Sequence, residues 1–304
     1  MTTATPPAGL PWPLAAEQNF LETAAGQVSV YRAGPDEISP TTAPPLLLVH
    51  SVNAAASSAE IAPLFDHYRQ SRPVWAFDLP GYGHSDRAAR LYTPRLMTDA
   101  LNAVVQHICA ITGREAVDVL GLSLGCEFVA RAQLESGGHI RRVAMVSPTG
   151  FNARQPRRGP EGSTLLVPGV YRFVNRPWLA ERLFRQLTRP GVVRYFLRRT
   201  FGRQEIDDFL WQYAVATARQ PGAHHAPLCF LSAALFSGDI QTVYESLQCP
   251  VWVSMATRGD FTRYTQRSFV EDRPNWSFQA IEGGAMPYFE DLPAFAQRLD
   301  PFWR

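Results

Sequence analysis

Residues 117–132 read VDVLGLSLGCEFVARA. An apolar run ends at Leu122, Ser123 stands between Gly121 and Gly125, and a segment with helical spacing follows. A run of this length bounded by glycine fits a strand buried on both faces. The pattern Gly121-Leu122-Ser123-Leu124-Gly125 between a strand and a helix is what a nucleophile elbow requires. There the serine occupies a strained turn that lifts its hydroxyl off the sheet, and small neighbours let strand and helix approach closely. The following helix aims its N-terminal amides at any anion formed there. A tight strand–helix turn in which Ser123 only caps is the other reading of the same residues.

Working outward, PPLLLVHS (44–51), RPVWAFDLPG (72–81) and IRRVAMVSP (140–148) are further short apolar runs. Between them, SSAEIAPLFDHYRQ (57–70) and TPRLMTDALNAVVQHICAIT (93–112) carry helical spacing, the second with Pro94 in its first turn. Alternating strands and helices predict an α/β fold, a mostly parallel twisted sheet flanked by helices. QVSVYRAG (27–34) fits one strand of an opening hairpin. The rhythm changes at Thr149, after which the chain is helical and aromatic to about Ser237. Residues 249–256 and 275–283 restore the strand pattern, and an amphipathic helix closes the chain. The expected organisation is a mobile Pro-rich arm over 1–16, a core of 17–148 with 238–304, and a helical cap inserted over 149–237.

From about residue 18 to the C-terminus the chain resembles the α/β-hydrolase fold superfamily. The resemblance rests on LLLVHS (46–51), DLPGYGHSD (78–86), the GLSLG elbow and FEDLPAF (289–295). It implies Ser123 as nucleophile and Leu124 N–H as one oxyanion donor. Val52 N–H is implied as the other, although Ser51 replaces the family's glycine. It also implies that an acid and then a histidine follow. Aligning Pro287 and Phe289-Glu290-Asp291 with the family's last motif places Ala285 where the histidine belongs. No histidine occurs after His225. The acid position is irregular too: in ATRGDFTRY, Asp260 is either an acid displaced by one residue or a surface turn aspartate beside Gly259.

Losing the histidine of such a unit can cost about 10⁶ in kcat, roughly 8 to 9 kcal/mol of barrier. An oxyanion hole and a pocket still retain roughly 10³ to 10⁴ over water. Surrogate bases are sought in His50, along the neighbouring strand, and in His224 and His225 near the end of the cap. His50 and His84 also read as structural. Glu127 reads as a helix-face acid and Cys126 as core packing.

In the cap, Trp178, Phe184, Tyr195, Phe196, Phe201, Phe209, Trp211 and Tyr213 are expected to wall the pocket. That wall suits an acyl chain or aromatic ring. Twelve arginines against two glutamates between Arg154 and Arg203 form either a solvated face or a surface that attracts a carboxylate, a phosphopantetheine-like phosphate or, as a peripheral contact, an anionic membrane. Every basic residue is arginine, and the formal net charge of +2 gives no reason to expect nucleic-acid binding. The four cysteines lack metal-ligand spacing, and the first residues lack the regions of a signal peptide. A cytoplasmic protein with no cofactor or metal is expected.

Three functions remain open at this level. The first is an enzyme acting with Ser123 on a small-molecule ester, thioester or related carbonyl compound with an apolar moiety. The second is a non-hydrolytic lyase, cyclase or acyltransferase, and the third a catalytically silent binding protein.

Overall fold

The computed structural model describes residues 9–35, 43–151, 156–260 and 263–304. The opening hairpin pairs β1 (Glu17–Thr23) with β2 (Gly26–Ala33) in antiparallel register. There follow β3 (Leu46–Val49), α1 (Ala62–Tyr68), β4 (Val74–Phe77), α2 (Pro94–Thr112), β5 (Val117–Leu122), α3 (Gly125–Glu135) and β6 (Ile140–Val146). Next come six helices: α4 (Pro168–Val174), α5 (Ala180–Leu187), α6 (Pro190–Phe201), α7 (Asp208–Thr217), α8 (His225–Leu231) and α9 (Ile240–Ser246). The chain then returns through β7 (Val251–Ala256) and β8 (Trp276–Ile281) to α10 (Leu292–Trp303). One eight-stranded sheet results, in the order β1-β2-β4-β3-β5-β6-β7-β8. From β4 to β8 every neighbouring pair is parallel.

Side-chain alternation explains why the central strands are continuous apolar runs. Leu47 and Val49 of β3 face one core layer, while Leu46 and Leu48 face the other. The same split recurs in β5, with Val117 and Val119 on one side and Leu120 and Leu122 on the other. Helices α2, α3 and α9 cover the first face through residues such as Leu101, Phe128 and Tyr244. Helices α1 and α10 cover the second through Phe65, Phe295 and Leu299.

Two expectations need revision. Residues 9–16 are not a free arm: Leu10 and Leu14 are buried, and the Trp12 ring lies 4.3 Å from that of His84. Apolar burial outweighs the Pro-rich composition there, and residues 1–8 lie outside the described residues. The helix expected over 57–70 splits into a 3-10 turn, Ser58–Ile61, and α1. Ser57 caps the turn, accepting the Ala59 N–H at 3.4 Å, and Pro63 falls in the first turn of α1. The break buries Glu60, which a continuous helix would have placed by periodicity alone.

Candidate active site

Ser123 follows β5 directly and adopts φ +54°. For a residue with a Cβ this left-handed conformation costs roughly 1 to 2 kcal/mol, so the surrounding structure must impose it. Its N–H donates to the Val146 carbonyl at 2.8 Å, holding the turn at the carboxyl end of the sheet. Two close approaches require the flanking glycines. A Cβ at Gly125 would stand 2.5 Å from the His50 carbonyl oxygen, and one at Gly121 would stand 3.1 Å from Cys126 Cα. Strand β3 pairs with β5 with Val49 opposite Gly121, so the chain after β3 runs beside Ser123. Chain order reverses at this pair of strands, where open α/β sheets form their binding crevice.

A cavity of about 270 Å³ opens there, lined in part by Ser123, Leu124, Ser51, Val52, Asn53 and Glu60. Among the described residues, neither Leu124 N–H nor Val52 N–H has a hydrogen-bond acceptor. Both expected donors therefore flank the serine with their protons uncommitted.

Ala285 lines the same cavity, 3% exposed. Its N–H donates to the Thr200 carbonyl at 2.9 Å, and its own carbonyl accepts from Ser147 Oγ at 3.0 Å. A Cβ on neighbouring Gly284 would lie 2.5 Å from Phe201 Cα, so the carboxyl end of α6 rests on this segment.

None of the seven histidines lines the cavity. His50 is buried with both ring nitrogens engaged. Its Nε2 accepts the Leu79 N–H at 2.9 Å, which makes Nδ1 the donor to the Ser51 carbonyl at 2.6 Å. That neutral tautomer leaves no lone pair for Ser123. The rings of His224 and His225 pack against each other, tilted, with centroids 3.9 Å apart at the start of α8, and burial lowers the basicity of both. Asp260 is an exposed partner of Arg199 at 2.8 Å, away from the cavity.

Charged groups that the sequence did not mark as a set converge on the cavity. Glu127, fully buried in the first turn of α3, accepts two bonds from Arg157 at 2.8 Å, one from Thr149 Oγ1 at 2.5 Å and one from Ser237 N–H at 2.9 Å. Arg157 and Thr149 line the cavity, so this pair forms a neutralised polar wall. Glu60 accepts from Ser51 N–H at 2.9 Å and Asn53 Nδ2 at 2.6 Å, with no cation beside it among the described residues. The pairing of Arg157 with Glu127 spans 30 residues and has no sequence signature. Glu60 stood in plain sight inside the SSAEIAP segment, disguised by the helical period.

The expected aromatic wall also moves. Phe184, Phe201 and Tyr213 pack into buried clusters, while Trp178, Tyr195, Phe196 and Phe209 are exposed. The apolar lining comes instead from Leu122, Leu124, Leu197, Phe230, Phe236 and Met286. Helix α6 accounts for the difference: it turns Leu197 and Thr200 toward the cavity, leaving Tyr195 and Phe196 outside.

Known proteins share this architecture. The carboxylesterase CesB from Bacillus subtilis superposes with a TM-score of 0.67 at 19% identity, covering 96% of this chain and 92% of that one. An esterase from Exiguobacterium antarcticum gives 0.70 at 16% identity, covering 93% and 98%. A serine hydrolase involved in carbazole degradation gives 0.70 at 14%, covering 95% and 98%. In sequence, the chain is 31% identical over 117 residues to a protein of Sus scrofa named 1-acylglycerol-3-phosphate O-acyltransferase ABHD5. That match takes in 36% of this chain and 31% of the relative's length. The pattern of the alpha/beta hydrolase fold family matches residues 44–204, from β3 through the serine turn to just beyond α6. With more than half of its length matched, the chain belongs to the alpha/beta hydrolase fold family.

Proposed function

We propose that the protein carries out acyl chemistry on a small ester, thioester or related carbonyl compound with an apolar moiety. Ser123 is the nucleophile, and Leu124 N–H and Val52 N–H receive the oxyanion. The observation that carries this reading is the strained turn at Ser123, φ +54°, facing a cavity beside two uncommitted N–H groups. A turn that merely joined strand to helix would gain nothing from that strain. The apolar lining from Leu197, Phe230, Phe236 and Met286 accommodates an acyl chain or ring. Residues 149–237 act in this reading as the cap that closes over the substrate.

Ala285 favours a second form of the same chemistry. With no imidazole to activate water efficiently, the acyl-enzyme would persist long enough for another acceptor to compete, which makes the protein an acyltransferase more than a hydrolase. The partial match to a relative named as an O-acyltransferase points the same way. A fluorophosphonate probe tests the common core. Labelling of the wild type at Ser123, lost in Ser123→Ala, is expected; no labelling would leave the non-hydrolytic enzyme and the silent binding protein.

A further inference from the structure

We propose that Glu60 is the proton carrier of this cavity, standing in for the imidazole that Ala285 replaces. The proposal rests on the reading of Ser123 as nucleophile. Of the side chains lining the cavity among the described residues, Glu60 is the only carboxylate and the only Brønsted base. Arg157 has no acceptor, and its charge is already matched by Glu127 at 2.8 Å. Glu60 is 4% exposed and has no cation beside it among the described residues. An ionised carboxylate offers about four acceptor sites. Ser51 N–H and Asn53 Nδ2 occupy two of them. The two bonds also tie Glu60 to the loop that carries Val52, so the acceptor is fixed relative to one oxyanion donor.

No hydrogen bond among the described residues joins Glu60 to Ser123, and in the proposed route the proton crosses by way of a water in the cavity that both residues line. Ser123 Oγ bonds to the carbonyl carbon, and the C=O electron pair moves to the oxygen held by Leu124 and Val52. The hydroxyl proton passes to Glu60. Collapse re-forms C=O and expels the alkoxide or thiolate, which takes the proton from Glu60. In the second half, water or an acceptor alcohol attacks the acyl carbon and gives its proton to Glu60. Ser123 Oγ then leaves and recovers that proton, so every transfer balances.

Other groups facing Glu60 must be separated from it. Tyr82 and Tyr288 are fully buried phenols whose pKa values burial drives far upward, and the Tyr288 hydroxyl donates to the Glu60 carbonyl at 2.8 Å. Asn53 and Ser51 do not titrate. His50, in contact with Ser51 from behind, is the remaining group to be distinguished.

The test measures the rate of Ser123 acylation by p-nitrophenyl butyrate in stopped flow, between about pH 4 and 9, with the full chain. Glu60→Gln should be at least about 100-fold slower than wild type and should lack whatever acid-side fall the wild type shows. Glu60→Ala should be equally slow and be accelerated at least about tenfold by added formate, a rescue that a purely structural or His50-linked role would not produce. Ser123→Ala should remain unacylated with or without formate. Acylation of Glu60→Gln within about threefold of wild type and with the wild-type pH profile would overturn the assignment, as would a folded Glu60→Ala protein indifferent to formate. Failure of the wild type itself to acylate would instead remove the nucleophile reading, and this proposal with it.

Discussion

Ser147 Oγ donates a hydrogen bond to the carbonyl of Ala285 at 3.0 Å. The residue that follows β6 is thus in direct contact with the position where the superfamily pattern expects an imidazole. Asp260, the aspartate nearest to the expected acid in sequence, is exposed beside Arg199. A histidine restored at 285 would therefore have a hydroxyl on its own carbonyl and no aspartate from the expected acid position beside it. Ala285→His alone is expected to raise p-nitrophenyl ester hydrolysis by about tenfold, because an unsupported imidazole lacks the orienting acid that is worth up to about 10⁴ in a complete triad. Ser147 already has φ +48°, a conformation aspartate tolerates better than most residues. Adding Ser147→Asp to Ala285→His should raise the rate by a further factor of about 10 to 100. Steady-state rates of the two variants check this, and a double variant no faster than Ala285→His would show that residue 147 does not reach the new ring.

Arg157 and Glu127 form a buried pair whose halves need each other. Arg157→Leu should destabilise the protein by about 3 to 5 kcal/mol, since it leaves the Glu127 carboxylate buried without its cation. Substituting leucine at both positions should recover a large part of that loss. Urea titrations of the three proteins measure it. Equal destabilisation by the single and double changes would contradict the coupling.

Asp78 anchors the loop beneath the cavity, accepting from Tyr31 OH at 2.6 Å, Ser58 N–H at 2.8 Å and His84 N–H at 2.9 Å. Burial alone would raise its carboxyl, but the hydrogen bonds donated by Tyr31, His84 and Ser58 outweigh burial and hold it below the usual carboxylate range. A carboxyl depressed in the folded state stabilises fully above its unfolded pKa, about 3.9, and loses that contribution as the pH falls through the folded value. Asp78→Asn should cost about 2 kcal/mol at neutral pH, with the gap to wild type closing on acidification. Denaturant midpoints across the acid range check the sign. A gap that widened as the pH fell would contradict it.

Ser123→Gly should stabilise the fold by up to about 1 kcal/mol, because glycine reaches φ +54° without the Cβ penalty that serine bears. The same change should abolish acylation. Thermal melts show the trade, and a lower melting temperature for Ser123→Gly would mean that the turn is not strained.

The strands and the elbow were legible because buried parallel strands are written as short apolar runs and the turn demands serine between small residues. Helix α2 was legible to its cap, with Thr93 accepting from Leu96 N–H at 3.3 Å as its first residues suggest. The site was only half legible. Its backbone parts follow from local sequence, since Val52 and Leu124 lie next to strands whose pairing is fixed by hydrophobic pattern. Its charged parts depend on contacts between segments far apart, such as Arg157 with Glu127, and no local period encodes those. Glu60 was hidden for a different reason. A 3-10 turn replaced the expected helix around it, which removed the 3.6-residue period by which a helix face would be read. The aromatic residues of α5–α7 looked like pocket wall because composition reports apolar content and not the direction in which each helix faces.

The central claim is that Ser123 takes up an acyl group. Intact-mass and peptide-mass measurement after mixing the protein with a short activated aryl ester tests this most directly. A single added acyl group on the peptide containing Ser123, absent in Ser123→Ala, is the expected result. Ester turnover with no acyl group on Ser123, or with the group carried by another residue, would contradict the account.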